Sequence, residues 1–431
     1  MFKLKNIFSK AKPGEQKKSG YGVVYDTFNA NSFLAHALSG GPVTSYQAQS
    51  YYRENAAVST AVDMIASAAE QIPLRIKDLS DGSFTSSANV LEFLQKPNPA
   101  EDYRTMIGSA FRNYLLTGNS YFSAIGNVNR APLQLWSVSP SNISPVENGA
   151  DNYPQSFLIS SGGPYKGDYI RVLESNDWRF ITVNSLQELT QIRNYTSKSS
   201  KVQGDSVLES IMRDINQQIA GKIHNAALLN NGGSVSLVAV FKDRLSADEM
   251  MERKESVKSE IAGAQNAGRV AVIQSSDMEL KDFGTSNRDM DYVNLDDIST
   301  KAVYMRYNIP LALVTTDAST YNNYQEARLD FYDRAVLPTF DIVISGLSQM
   351  LLPRMNIDPR RFTLTYNPEN IPTLRTRMLE ELGIRKDINI ETINELRGIL
   401  PSRPAIGPEG DKIYQPSTLV PLNDQLGPLG E

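Results

Sequence analysis

The chain reads as an α+β protein. Apolar residues recur at helical spacing in several long stretches, and between them lie short alternating runs bounded by turn residues. Two of the helical stretches flank a small strand-rich segment, giving the order rod, tip, rod. After the second rod, Asn308-Ile309-Pro310-Leu311-Ala312-Leu313 leads into a polar gap, Val314 to Asn322, and then into a long helix opening Asn323-Tyr324-Gln325-Glu326-Ala327-Arg328.

Residues 1–50 read as a flexible arm. Met1 to Lys18 holds six lysines (Lys3, Lys5, Lys10, Lys12, Lys17, Lys18) against Glu15, and residues 20–50 are rich in Gly, Ser and Asn. The first helix carries Val58, Ala61, Val62, Ile65, Ala69 and Ile72 at helical spacing, with Asn55 as cap and Pro73 as stop. Leu74 to Lys77 is a short strand. A second helix, Tyr103 to Thr117, ends at Gly118, a glycine placed for a left-handed C-terminal cap. From Asn119 to Tyr195 the pattern turns to strands: Tyr121–Ile125, Leu133–Trp136, Phe157–Ile159 and Arg179–Val183. Trp136 and Trp178 sit among them as packing residues. Residues 51–205 therefore form a unit of two helices against an antiparallel sheet.

The first rod, Ser206 to about Leu229, places Leu208, Ile211, Met212, Ile215, Ile219, Ile223 and Ala226 in one stripe. At 1.5 Å per residue it is roughly 36 Å long. Asn230-Asn231-Gly232-Gly233 ends it. Ser234 to Gly284 reads as a β-α-β-β tip: strand Val235–Phe241, helix Ala247–Ala262, strands Arg269–Gln274 and Met278–Phe283. A unit of ~50 residues is marginal alone, so it completes its burial against neighbours. The second rod, Asn287 to Tyr307, has Met290, Val293, Ile298, Ala302 and Met305 as its apolar positions. The helix from Asn323 to about Leu352 contains Pro338, which removes one backbone bond and predicts two segments at an angle. Arg361–Tyr366 is a strand, Leu374–Gly383 and Glu391–Arg397 are short helices, and the chain from Pro401 onward reads as loosely ordered. No internal repeats occur.

Composition narrows the chemistry. At 431 residues and 41% hydrophobic the chain holds two or three domains with cores of their own. There is no cysteine, and the two histidines are His36 and His224. Thiol nucleophiles, Cys-based zinc sites and most Ser-His-Asp arrangements are excluded. Gly40-Gly41, Gly162-Gly163 and Gly232-Gly233 lack the Lys-Ser/Thr that a phosphate-binding loop requires. Asp289, Asp291, Asp296 and Asp297 are the one dense acidic set, and they read as a solvated helix face rather than metal ligands. Neither catalytic residues nor a cofactor or metal is expected. No run reaches the roughly 18 consecutive apolar residues of a bilayer span, and no secretory signal precedes the arm, so the expectation is a soluble protein, cytosolic when made. Net charge is −5, and setting the arm's lysines and Glu15 aside leaves the rest near −10. Such a body does not grip DNA by phosphate neutralisation.

Several blocks then occur in an order that resembles the portal (head–tail connector) family of tailed bacteriophages and gene transfer agents. They are Val58 to Ile76, Lys96-Pro97-Asn98-Pro99, Leu116-Thr117-Gly118-Asn119-Ser120-Tyr121, Ser206-Val207-Leu208-Glu209-Ser210, Asn266-Ala267-Gly268-Arg269-Val270, Tyr307-Asn308-Ile309-Pro310 and Thr320 to Ala327. Each is weak alone; their collinear order from Tyr51 to Pro401 carries the resemblance. Val207 departs from it by standing where the family has proline. The resemblance implies a basic arm (1–50), a wing (51–205), a first stem helix (206–233), a clip (234–286) and a second stem helix (287–308). A tunnel loop (309–322), a kinked tunnel helix with a returning wing strand (323–368), and a crown with a flexible tail (369–431) complete the layout.

The same resemblance implies a twelve-fold ring at one capsid vertex that double-stranded DNA enters under the terminase and later leaves. Its implied partners are further copies of the chain, non-specifically held duplex, the large terminase, the major capsid protein and a head–tail adaptor, with no membrane. It also implies a nucleating role in capsid assembly, and residence in the virion after assembly in the host cytoplasm. The channel constriction would be Thr315, Thr316, Asp317, Ala318, Ser319, Thr320, Tyr321 and Asn322, which include no basic residue. Arg213, Lys222, Lys301 and Arg306 are the candidate stem cations, facing either DNA or a neighbouring subunit. Tyr292, Tyr304, Tyr307, Tyr321, Tyr324 and Tyr332 cluster near the loop and suit subunit contacts. The alternatives are a metal-dependent DNA-processing packaging enzyme and a structural adaptor that forms no ring.

Overall fold

The computed structural model describes residues 43–85, 88–126, 131–147, 154–159, 180–184, 187–197, 203–230, 237–241, 278–282, 292–315, 321–388, 391–400, 403 and 405–413. Helix α1, Ser45–Glu54, opens with a capping box: Thr44 Oγ1 accepts from the Gln47 amide, and the Gln47 side chain accepts from the Thr44 amide. Reading residues up to 50 as an extended arm overlooked this Thr-x-x-Gln signature. Asn55 then caps α2, Ala56–Glu70, its Oδ1 taking the Ala57 and Val58 amides. Val58, Ala61, Val62, Ile65 and Ala69 are buried, as their spacing predicts.

After Pro73 come β1, Leu74–Asp78, then β2, Phe84–Thr85, and α3, Ala88–Gln95. Helix α4 runs Tyr103–Thr117 from an Asp102 cap to Gly118, whose φ of 71° is the left-handed conformation expected there. Gly118 also lies so close to the Asp205 carbonyl that a Cβ would come within 2.2 Å of it. On the surface of the helix pair Arg112 bridges Asp63 at 2.8 Å and Glu70 at 2.7 Å, tying α4 to α2.

The strands that follow are β3 (Asn119–Ile125), β4 (Gln134–Val138), β5 (Ile143–Glu147), β6 (Pro154–Ile159), β7 (Phe180–Asn184) and β8 (Gln187–Arg193). Four of them form an antiparallel sheet in the order β4-β3-β8-β7, while β5 and β6 pair separately. Phe122, Ala124, Leu135 and Ile192 join the core beneath the helices. β8 is not legible in the sequence because Gln187-Glu188-Leu189 has helix-forming composition. Its antiparallel pairing with β3 on one side and β7 on the other overrides that preference.

Ser206 caps a 3₁₀ turn, Val207–Ser210, that leads into α5, Met212–Asn230. Of the tip, β9 (Leu237–Phe241) and β10 (Met278–Asp282) are described, and they pair antiparallel with Phe241 opposite Met278. The predicted helix over 247–262, the strand over 269–274 and the second rod before Tyr292 lie outside the described residues. Helix α6 spans Tyr292–Arg306. Asn308 ends it in the left-handed region at φ 56°. Its amide donates to the Met305 carbonyl and the Ile309 amide to the Tyr304 carbonyl at 2.9 Å. This is a Schellman closure, with Pro310 barring continuation.

Beyond a 3₁₀ turn at Leu311–Leu313, α7 runs Tyr321–Phe331, opening two residues before Asn323. A π turn, Tyr332–Val336, then joins it to α8, Leu337–Arg354. The helical run continues through Pro338: the proline sits in the first turn of α8, and the wider π turn before it absorbs the missing donor. The span Asn323–Arg354 is long and apolar enough to cross a membrane by composition, yet 61% of its most apolar window is buried inside the protein. Phe340, Val343, Ile344, Leu347 and Leu351 belong to the main core. A second asparagine, Asn356 at φ 59°, closes α8 as Asn308 closes α6, with Ile357 donating to the Leu352 carbonyl at 2.9 Å.

Strand β11, Phe362–Tyr366, returns to β1 and completes a sheet of order β11-β1-β2. Helix α9, Pro372–Ile388, is longer than the sequence predicts, and α10, Ile393–Gly398, carries a Thr392/Glu395 capping box. Residues 405–413, expected to be loose, fold back on α10. The Asn394 side chain donates to the Ile406 carbonyl at 2.9 Å and to Asp411 at 2.7 Å, and accepts from the Ile406 amide at 2.8 Å.

At the end of the β1–β11 pairing Arg361 donates to Asp78 at 2.9 Å, and Ser80 donates from both its hydroxyl and its amide. These bonds hold the Asp78 carboxyl down to about 2. A carboxylate depressed in the folded state stabilises fully above its unfolded value near 3.9, and the contribution disappears as pH falls toward the folded value. We expect Asp78→Asn to be less stable than wild type at neutral pH. In denaturant titrations the difference should shrink between about pH 4 and about pH 2; a constant difference would rule the clasp out.

Candidate DNA-channel site

The rods run antiparallel. Arg306 Nε donates to Ser210 Oγ at 2.7 Å, Gln218 Nε2 to Thr300 Oγ1 at 2.8 Å, and Lys222 Nζ lies 3.5 Å from Asp296. Contacts rise along α5 as they fall along α6.

A buried amide ties this pair to the body. Gln218, 4% exposed, accepts from Asn55 Nδ2 at 2.6 Å while its own Nε2 reaches Thr300 and the Asp296 carbonyl. Asn55 is at the same time the cap of α2. One side chain thus links a wing-side helix and both rods. Sequence reasoning found Asn55 as a cap but not Gln218, because a lone glutamine beside an apolar stripe carries no signal of its partner.

The apolar positions divide in a way the stripe did not show. Leu208, Ile211, Met212, Ile215 and Ile219 are buried, but Ile223 is 56% exposed. On α6 the buried positions are Ser299, Val303, Tyr304 and, just past its end, Tyr307, whereas Ile298 and Met305 are 61% and 65% exposed. Two of the apolar positions of the second rod, Ile298 and Met305, thus lie on its exposed side. Periodicity detects an apolar face, but Gln218 and Thr300 decide which face turns inward.

The expectation that the tyrosines near the loop make subunit contacts is corrected for Tyr304 and Tyr307. The Tyr307 hydroxyl donates to the Leu115 carbonyl at 3.1 Å, and burial pushes its phenol up, so it stays a donor. Tyr304 is also buried within its own chain. Tyr332 is half-buried and Tyr324 exposed, while the side chains of Tyr292 and Tyr321 lie outside the described residues.

The four candidate cations differ. Lys222 pairs with Asp296 across the rods, and Lys301 pairs with Asp297 at 2.6 Å one turn away on α6. Arg306 is bound to Ser210 and Arg213 is exposed. Of the acidic set, Asp296 and Asp297 are thus engaged with lysines; Asp289 and Asp291 lie outside the described residues. Among the described residues no group of three or more His, Asp or Glu is placed to hold a metal ion.

The segments on either side of the polar gap are anchored. On one side Ile309 is 2% exposed behind the Asn308 closure, and the Thr315 amide and hydroxyl both donate to the Leu311 carbonyl at 2.9 Å. On the other, Tyr321 and Asn322 open α7, which Ala327 and Phe331 bury against the body. Thr316, Asp317, Ala318, Ser319 and Thr320 lie outside the described residues. One structural tie was not legible at all: Arg354, 5% exposed, donates to the carbonyls of Ala124 and Gly126 and so pins the end of α8 to β3.

Gln218→Leu leaves the Asn55 amide donor buried without a partner, a cost of about 1–3 kcal/mol, measurable as a lowered denaturation midpoint. An unchanged midpoint would remove the relay from the list of stabilising contacts. Asn308→Val forces a β-branched residue into the left-handed region and is expected to cost ~1–2 kcal/mol, whereas Asn308→Gly stays close to wild type. Equal stability of the two variants would contradict the cap.

A model of the family described as phage portal protein matches residues 56–400. An uncharacterized protein of Rickettsia bellii (strain RML369-C) is 23% identical over 354 residues, which is 81% of this chain and 87% of that protein. Among solved structures the fold is similar to a chain in the virion of a native gene transfer agent particle, at a TM-score of 0.58 and 19% identity, covering 87% of this chain and 99% of that one. It is also similar to a chain in the neck of a native gene transfer agent particle computed with C12 symmetry, at a TM-score of 0.58 and 20% identity, covering 86% and 99%.

Proposed function

Because the chain belongs to the phage portal protein family, whose model spans residues 56–400, we propose that it assembles as a twelve-fold ring at one capsid vertex and conducts double-stranded DNA. The terminase drives DNA in through this ring during packaging, and the DNA leaves through it on ejection. The observation that supports this most is the pair of antiparallel rods with the β9–β10 tip between them in sequence and the polar gap at their body end. In this reading α5 and α6 are the stem and the 234–286 tip is the clip that meets terminase and later the head–tail adaptor. Residues 309–322 form the tunnel loop, α7 and α8 the helix behind it, and 369–431 the crown and tail. The ring nucleates capsid assembly in the host cytoplasm, binds the major capsid protein there and remains in the virion.

A conduit must pass a polyanion without holding it. Each lysine or arginine that neutralises a phosphate adds affinity by counterion release. The proposed constriction from Thr315 to Asn322 offers hydroxyls, amides and one carboxylate, which make weak contacts blind to sequence. Such a wall positions duplex and lets it go.

Electron microscopy of the purified protein tests the reading. Rings with a central channel wide enough for duplex are expected; monomers that cut DNA with Mg²⁺ would replace it with a packaging enzyme, and intact monomers without cleavage with an adaptor. Replacing residues 315–320 by a Gly-Ser linker should leave rings intact and lower DNA packaging or retention. Unimpaired packaging would overturn the constriction assignment.

A further inference from the structure

Helix α9 is buried only in its first turn, through Thr373 and Leu374. Arg377 is tied to Asp333 on the π turn, and from Arg375 to Asp387 no side chain is buried. The neighbouring α10 buries none either. Short helices left this uncovered are marginal in water, because most helix stability in proteins comes from packing one face. The exposed residues of α9 fall on two flanks. Arg375 is followed one turn later by Leu379, and Glu380 one turn later by Ile384. Leu379 is 46% and Ile384 65% exposed. The second dyad is offset from the first by about 140° around the helix and about 7.5 Å along it. Lys386 continues the first flank and Asp387 the second. Arg385 is taken by Glu381 and Glu391, whereas Arg375 and Glu380 have no ion partner among the described residues.

Each flank offers an aliphatic residue beside charge of one sign, and the two signs are opposite. A contact that repeats head to tail needs two different, complementary surfaces on one chain, and it closes into a ring when the rotation fits. A two-fold pair would set each flank against its own charge, which is repulsive. We propose that the Arg375–Leu379 flank of one copy docks on the Glu380–Ile384 flank of the next. The proposal rests on the reading of the chain as a ring-forming portal protein. The occupant is a second copy because the complement of each flank is present on the same helix. In the contact Leu379 and Ile384 leave water together, and the charges decide which flank fits which. Every copy in a ring gives one flank and receives the other, so α9 is covered on both sides and gains the packing it lacks alone.

The chain has no cysteine, so engineered pairs report the contact without background. Full-length rings carrying both Leu379→Cys and Ile384→Cys, checked by electron microscopy, are oxidised and separated without reductant. The two sites lie on opposite flanks of one helix, too far apart for a disulfide within the chain. A ladder of covalent multimers is expected, while either single substitution gives monomers. In the double-cysteine background Arg375→Glu should slow the ladder at least about tenfold, and adding Glu380→Arg should restore it. Dimers from a single-cysteine variant would assign a two-fold pairing and overturn the docking. Rings that yield no ladder, or a charge swap that restores nothing, would overturn it too. Where the cysteines themselves hinder assembly, the charge variants alone are scored by the fraction of protein in rings. A loss with Arg375→Glu that Glu380→Arg recovers supports the contact, and rings indifferent to both overturn it. Wild-type protein that forms no ring would instead bring down the portal reading, and the docking with it.

Discussion

A single buried amide joins the rods proposed to line the DNA channel to the body that holds them. Gln218 accepts from Asn55, the cap of α2, and donates to Thr300 on α6. Buried polar groups tolerate little displacement, because a broken bond leaves a desolvated donor or acceptor behind. The rods are therefore held in one rotation and one axial register by a contact with few alternatives. Tyr307 reinforces it by donating from the end of α6 to the Leu115 carbonyl on α4. What the apolar stripe supplies in affinity, these directional bonds supply in geometry.

The segment around the polar gap shows the same division. Helix α6 and helix α8 end in the same way, each with an asparagine in the left-handed region followed by an isoleucine that folds back on the last turn. Between them the π turn and Pro338 set how α7 leaves α8. The gap is thus bracketed by fixed ends, and its composition is free to serve contact rather than stability. Arg354 and the Asp78–Arg361 clasp close the circuit by returning the chain to β3 and β1.

Electrostatics separates this protein from one built to bind DNA. Its net charge is −5, its proposed constriction contains no basic residue, and the lysines of its described rods are paired with carboxylates. The exposed Ile298 and Met305 on α6 lie on the side turned away from the body.

Much of this was legible in one sequence. Local chemistry identified the Asn55 cap, the Gly118 terminus of α4, the strands β9 and β10, the irregular helix at Pro338 and the polar gap, because each depends on neighbours within a few residues. The helix α1 was legible too, through Thr44 and Gln47, and was overlooked. Other features depended on the tertiary structure alone. The strand β8 exists because β3 and β7 hold it, against its own preference. Ile298 and Met305 face outward because Gln218 and Thr300 claim the inner side of α6. The ion pair of Lys222 with Asp296, the seat of Tyr307 and the burial of Arg354 join residues 74 to 230 positions apart. Sequence determines what each segment is able to form. The packing of distant segments decides which face is buried, because burial and pairing are properties of the neighbour as much as of the residue.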